Sequence, residues 1–122
     1  MMPFITSKPT ILICGSRGIT ELNISRYIRP SSVGAVISGG AIGVDSIAKE
    51  WAKQNNIEYI EYNPNYKTFG KKAPLIRDEQ MVNACDIVFA FWDLKSKGTD
   101  YTLKYAQSIG RKFIVHWIEE KD

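Results

Sequence analysis

The sequence predicts an α/β fold: a doubly wound parallel sheet of five strands, in the order 3-2-1-4-5, with helices on both faces. Three observations lead there. Short apolar runs alternate along the whole chain with segments of helical period, and each crossover helix must bury its apolar stripe against parallel strands. The stretch Ile37-Ser38-Gly39-Gly40-Ala41-Ile42-Gly43-Val44-Asp45 carries a buried strand through clustered glycines into a helix, so the apolar period changes at the glycines. At 122 residues, 44% hydrophobic and 24% charged, residues 1–122 make a single domain with a real core and show no linker, repeat or low-complexity tract.

Residues 1–9 read as a loose lead-in. Thr10-Ile11-Leu12-Ile13-Cys14 is apolar without alternation, hence a first strand buried on both faces, and it ends in Gly15-Ser16-Arg17-Gly18. Thr20 is placed to cap a helix with Leu22, Ile24, Tyr27 and Ile28 on its apolar side, stopped by Pro30. Gly34 to Ile37 is the second strand. Val44, Ile47, Ala48, Trp51 and Ala52 then share one face of a helix running to about Asn55, and Ile57 to Tyr62 is the third strand. Asn63 to Ala73 is a long loop, of a length common in lids and binding segments. Pro74 suits the first position of a third helix that runs through Cys85. Asp86 to Trp92 is the fourth strand and Asp93 to Gly98 a polar turn. Thr99 to Ile109 is a fourth helix with Thr102, Leu103 and Ala106 at core spacing, closed by Gly110. Lys112 to Trp117 is the fifth strand, and the lone His116 inside it reads as structural.

A net charge of +3 allows anionic ligands without requiring nucleic acid. No apolar run reaches the length of a membrane span, and Met1-Met2-Pro3-Phe4 has no signal core, which predicts a cytoplasmic protein without a membrane partner. Cys14 and Cys85 sit in apolar contexts far from CxxC spacing and read as buried free thiols, with no metal site expected.

A sheet wound in this order reverses direction between its first and fourth strands, and ligands gather beyond the carboxyl ends there, at the loops of Gly15, Ser38, Asn63 and Asp93. Arg17, Lys67, Lys71, Lys72, Lys95 and Lys97 all fall in those loops. Gly39, Gly40 and Gly43 can take positive φ and admit a close approach, and the following helix would point unpaired N–H groups at a phosphate or carboxylate. Their spacing matches no standard dinucleotide fingerprint. Asp45, in the first turn of that helix, either complements the helix dipole or serves a ribose hydroxyl or a catalytic proton. Arg77, in the first turn of the third helix, either forms a structural salt bridge with Asp78 or Glu79 or grips an anion with its planar fork. Ser96-Lys97-Gly98-Thr99 again sets a glycine and a hydroxyl before a helix, with Thr99 as cap or as ligand contact. Tyr62, Tyr66 and Phe69 flank the region, either packing or stacking on a base.

Taken together and in this order, Gly15-Ser16-Arg17, Ser38-Gly39-Gly40-Ala41-x-Gly43-x-Asp45, Pro74-x-x-Arg77 and Lys97-Gly98-Thr99 resemble the SLOG superfamily of Rossmann-like proteins over nearly the whole chain. The resemblance is to its YspA and YpsA-related small bacterial and phage members in particular. The superfamily also includes the DNA-processing protein A family, whose similar SGxAxGID stretch accompanies single-stranded DNA binding. It further includes the lonely-guy phosphoribohydrolases, which release a base from a nucleoside monophosphate. Their pattern has an arginine four residues before a methionine, an apolar strand, then PGGxGTxxE. Arg77 and Met81 keep the first spacing and Gly98-Thr99 fits the GT pair, but Thr102 stands at the glutamate position and Asp93-Leu94-Lys95-Ser96 does not supply PGG.

The resemblance therefore implies a nucleotide-like ligand and disfavours a standard phosphoribohydrolase. The first reading is a domain that binds a nucleotide or nucleotide-derived ligand, as a sensor or with an activity on it, using Gly15, Ser16, Arg17, Ser38, Gly39, Gly40, Gly43, Asp45, Arg77, Gly98 and Thr99. The second is an enzyme that cleaves an N-glycosidic bond, with Asp45 or Asp100 as the acid. The third is a single-stranded nucleic-acid module using the basic edge and the aromatic loop. A phosphate-bearing small molecule is the expected partner, single-stranded nucleic acid the alternative, and a homo-oligomer fits either. No further cofactor is expected.

Overall fold

The structure, a computed structural model, describes residues 7–119. The first six residues of the expected lead-in lie outside the described residues. Five strands form one all-parallel sheet, as the alternation predicts, in the expected order β3-β2-β1-β4-β5. β1 (Thr10–Gly15) is central, pairing with β2 (Ala35–Ser38) on one side and β4 (Ile87–Trp92) on the other. β3 (Glu58–Glu61) and β5 (Lys112–Trp117) are the edges.

Alternation along β1 splits the core in two. Ile11 and Ile13 face a layer made by α1 (Val44–Gln54) and the segment 19–33, whereas Leu12 and Cys14 face a layer that includes residues of α3 (Ala73–Ala84) and α4 (Lys97–Ser108). Both cysteines are buried free thiols, and burial pushes the Cys85 thiol up to about 11. His116 is packing: its ring stacks on Phe91 at 5.3 Å and meets Tyr27 at 4.5 Å.

Three elements differ from the sequence reading. No helix follows Thr20; two 3-10 turns, Ile24–Arg26 and Pro30–Ser32, take its place. The residues that this segment buries, Ile19, Ile24, Ile28 and Val33, are spaced by five, four and five, too far apart for one helical face. Trp51 Nε1 donates to Ser25 Oγ at 2.8 Å and fastens the segment to α1. The loop Asn63–Ala73 is also partly ordered: α2 (Tyr66–Phe69) starts where Asn65 Oδ1 accepts from Thr68 N at 3.1 Å, and a 3-10 turn, Gly70–Lys72, leads into α3. Finally, α4 begins before Thr99. Its cap is Ser96, whose Oγ accepts from Thr99 N at 3.3 Å, so Thr99 is the third helical residue and not the cap.

Candidate functional site

The loops after β1 and β4 part where the winding reverses, and a cavity of about 500 Å³ opens between them. One side is built by Gly15, Ser16 and Arg17, the other by Asp93 to Thr99; α3 contributes Pro74, Leu75, Arg77, Asp78 and Met81, and Ala41 and Asp45 close the back. The two loops are latched together. Ser16 Oγ donates to Asp93 Oδ1 at 2.7 Å and accepts from Asp93 N at 3.0 Å, while the same carboxylate oxygen receives Lys95 N at 2.8 Å and Ser96 N at 3.3 Å. Burial works slightly the other way, but these bonds from Ser16 and the backbone hold the Asp93 carboxyl below its ordinary range. The turn they fix is tight enough to put Leu94 at φ +68°, unusual for a side chain of that size.

Of the expected ligand residues, Gly15, Ser16, Arg17, Asp45, Arg77, Gly98 and Thr99 line this cavity; Ser38, Gly39, Gly40 and Gly43 do not. Ser38 is buried, its Oγ 2.5 Å from the Tyr59 hydroxyl and donating to Asp45 O at 3.5 Å. Gly40 and Gly43 do adopt positive φ (+73° and +79°), but Gly39 does not. What approaches these glycines is the protein itself. A Cβ on Gly43 would lie 2.5 Å from Ser16 O and 2.6 Å from Arg17 Cα, one on Gly40 2.8 Å from Glu61 Cδ, and one on Gly39 2.7 Å from Arg77 Nη1. The start of α1 also turns inward, because Val44 N donates to Ser16 O at 3.3 Å and Asp45 Oδ2 accepts from Ala41 N at 3.1 Å. One of the expected open helix donors, Val44 N, is thus taken up by the loop after β1.

Arg77 lies in the second turn of α3, not the first, and is used by the fold. Its Nη1 donates to Gly39 O at 2.7 Å and Tyr62 O at 3.1 Å, tying the ends of β2 and β3, and its Nε donates to Asp78 Oδ1 at 2.9 Å. The salt bridge read from the sequence exists with Asp78; Glu79 instead accepts from the Tyr101 hydroxyl. Asp78 is the residue that sequence reasoning undervalued. It is 7% exposed, lines the cavity and accepts from Arg77 Nε. Burial raises the carboxyls of both Asp45 and Asp78 above their ordinary range, with the Arg77 charge and the hydrogen bonds opposing. A signal was present: Asp78 precedes Met81 and Val82 at the i+3 and i+4 positions of the buried helical face.

Thr102, at the hydrolase glutamate position, is buried and donates its hydroxyl to Gly98 O at 3.0 Å. Asp100 pairs with Lys104 at 2.9 Å and is absent from the cavity wall. Gly98 has open space around it, and Thr99 Oγ1 donates to Ser96 Oγ at 3.0 Å. Among the described residues no group of acidic, histidine or cysteine side chains could hold a metal, and no helix is long and apolar enough to cross a membrane.

Residues 9–69, from the lead into β1 through α2, match the model of the YspA, cpYpsA-related SLOG family. The chain belongs to this family. The match takes in the Gly15-Ser16-Arg17 wall and the glycine turn, while the α3 and β4–α4 walls lie beyond it. The Gene 61 protein of Mycobacterium phage D29 is 36% identical to this chain over 81 residues, 62% of this chain and 65% of the relative. DNA processing protein A from Helicobacter pylori, described for its single-stranded DNA binding mode, shares the fold with a TM-score of 0.65 over 89% of this chain and 65% of its own, at 22% identity. The chain thus spans just under two thirds of each of these relatives.

Proposed function

We propose that the cavity between the β1 and β4 loops seats one nucleotide of a single-stranded nucleic acid, and that this SLOG domain is a single-strand binding module. The observation that carries the reading is the distribution of cations. Arg17, Lys95 and Lys97 are exposed at the cavity mouth, and exposed Lys67, Lys71 and Lys72 sit on α2 and the turn that pack against α3, whose first residues form the cavity wall. Tyr66 and Phe69, both exposed, lie among those lysines, as a stacking platform for bases requires. A band of charge with interleaved aromatic rings suits a polyanion with bases better than one isolated phosphate. The likeness to a protein described as binding single-stranded DNA agrees with this, and such a role belongs in the cytoplasm.

A free nucleotide is the second reading, favoured by the size of the cavity, about 500 Å³, which falls in the range of small-molecule pockets. Salt separates the two. For single strands the slope of log K against log salt is about −0.7 per phosphate neutralised, so engagement of all six cations sets a limit near −4, whereas a mononucleotide, with no condensed counterions to release, gives a much shallower dependence. Fluorescence anisotropy of a labelled oligothymidylate over a salt series measures the slope. A slope steeper than about −2 supports strand binding. No binding by the oligonucleotide, with AMP or GMP binding by calorimetry, would transfer the site to the second reading.

A further inference from the structure

The charge of the cavity reverses with depth. Arg17, Lys95 and Lys97 are exposed at its mouth, whereas the Asp45 and Asp78 carboxylates lie on its inner wall, with Arg77 as the cation between them. Arg77 already donates from Nε and Nη1 to the protein's own oxygens. A phosphate only accepts hydrogen bonds, and pushed inward it would meet two like charges where water screens them least. At the mouth it meets cations. The rest of the inner wall is Met81, Cys14, Thr99 and Thr102, an apolar and hydroxyl-bearing surface fit for a flat ring.

Each carboxylate retains capacity to accept. A carboxylate offers about four lone-pair sites. Asp45 Oδ2 receives the N–H of Ala41, and Asp78 Oδ1 receives Arg77 Nε. The group that complements this wall is neutral, planar and edged with N–H donors. Guanine presents an imino and an amino N–H side by side, which one carboxylate accepts as a parallel pair. Thymine presents a single N–H between two carbonyls, and those carbonyls would face the acids.

Resting on the nucleotide reading above, we infer that the strand's phosphates run across the mouth while one base turns inward, and that Asp45 and Asp78 select guanine. Base readout by acids accepting from ring and amino N–H groups, on a base turned out of its stack, follows general recognition chemistry. The glycine turn then acts indirectly, by fixing Asp45 at the back wall through Ala41.

The test uses an oligothymidylate of about a dozen nucleotides and the same strand with one central guanine, hypoxanthine, adenine or cytosine, compared by anisotropy. The guanine strand should bind about tenfold tighter than the thymine strand, the scale of one charge-assisted hydrogen bond, and hypoxanthine, which lacks only the amino group, should lose most of that gain. This arm alters only the ligand, so no folding defect can mimic it. Asp78→Asn and Asp45→Asn, checked for folding by melting, should bring the guanine-to-hypoxanthine ratio toward one. Equal binding of all strands overturns the inference, as does a guanine preference that survives in both folded variants. If no strand binds at all, the strand reading fails by itself, and GMP against IMP by calorimetry decides the base inference: tighter GMP supports it, equal affinity overturns it.

Discussion

Replacing Arg77 with Ala should unfold the site before it empties it. The side chain is 12% exposed and joins three acceptors: Gly39 O at 2.7 Å, Tyr62 O at 3.1 Å and Asp78 Oδ1 at 2.9 Å. Truncation leaves the Asp78 carboxylate buried without its countercharge and frees two carbonyls at the ends of β2 and β3. Breaking a buried ion pair from one side costs about 3–5 kcal/mol, because the remaining charge is uncompensated. For a domain of this length, 1 kcal/mol moves the melting temperature by roughly 4 °C, so Arg77→Ala should melt about 10–20 °C below the wild type. Asp78→Ala in the same chain should return part of that loss by removing the stranded charge, which a double-mutant cycle of denaturant-derived stabilities reads as a coupling of about 1–3 kcal/mol. An Arg77→Ala protein that melts within about 2 °C of wild type, with no coupling to Asp78, would refute the reasoning and return Arg77 to service as a ligand clamp.

Gly43→Ala should cost several times more stability than Gly70→Ala in urea denaturation. Both take positive φ with strongly negative ψ (−131° and −137°), a region that costs a side chain about 1–3 kcal/mol, but only at Gly43 would the new Cβ also meet backbone, at 2.5 Å from Ser16 O, while Gly70 has open space around it. Asp45 should make stability fall as pH rises. Its folded pKa is raised by burial, so between the unfolded value of about 3.9 and the folded one the native state holds a proton that the unfolded state has lost. Melting temperatures from pH 4 upward should therefore fall less steeply in Asp45→Asn than in wild type, and parallel curves would contradict the assignment. Chromatography after incubation with AMP should find no adenine at the rate of a dedicated phosphoribohydrolase, because the buried Thr102 hydroxyl does not titrate near neutrality. Robust adenine release that disappears in Asp45→Asn would instead promote the N-glycosidase reading.

The sheet was legible because its signals are local. Lys112–Trp117 matches its observed bounds, and alternation announces a parallel sheet; the expected order 3-2-1-4-5 is the observed one, although alternation alone also suits other doubly wound orders. The segment after Thr20 misled because Leu22, Ile24, Tyr27 and Ile28 mimic a helical stripe, while the residues that fasten it, Ile19, Ile24, Ile28 and Val33, are set by the α1 surface they must cover. At the glycine turn the positive φ of Gly40 and Gly43 was readable from residue type. What the glycines accommodate was not, since Ser16, Arg17, Glu61 and Arg77 come from other parts of the chain. Asp78 was half legible: its pairing with the adjacent Arg77 and its spacing to Met81 and Val82 can be read locally, but that it lines the cavity depends on the loops after β1 and β4, which come from elsewhere in the chain. Likewise, Ser96 and Thr99 are both good capping residues, and only backbone geometry decides that Ser96 caps α4.

The central claim is that a nucleotide of a single strand occupies the cavity between the β1 and β4 loops, and amide chemical-shift mapping tests it most directly. Titrating a short single-stranded DNA into isotopically labelled protein should shift the amides of Gly15 to Gly18, of Lys95 to Thr99 and of Leu75 to Asp78, which surround the cavity. Shifts confined to the β5 edge, or to the surface between Ile24 and Trp51, with these amides unmoved, would contradict the account.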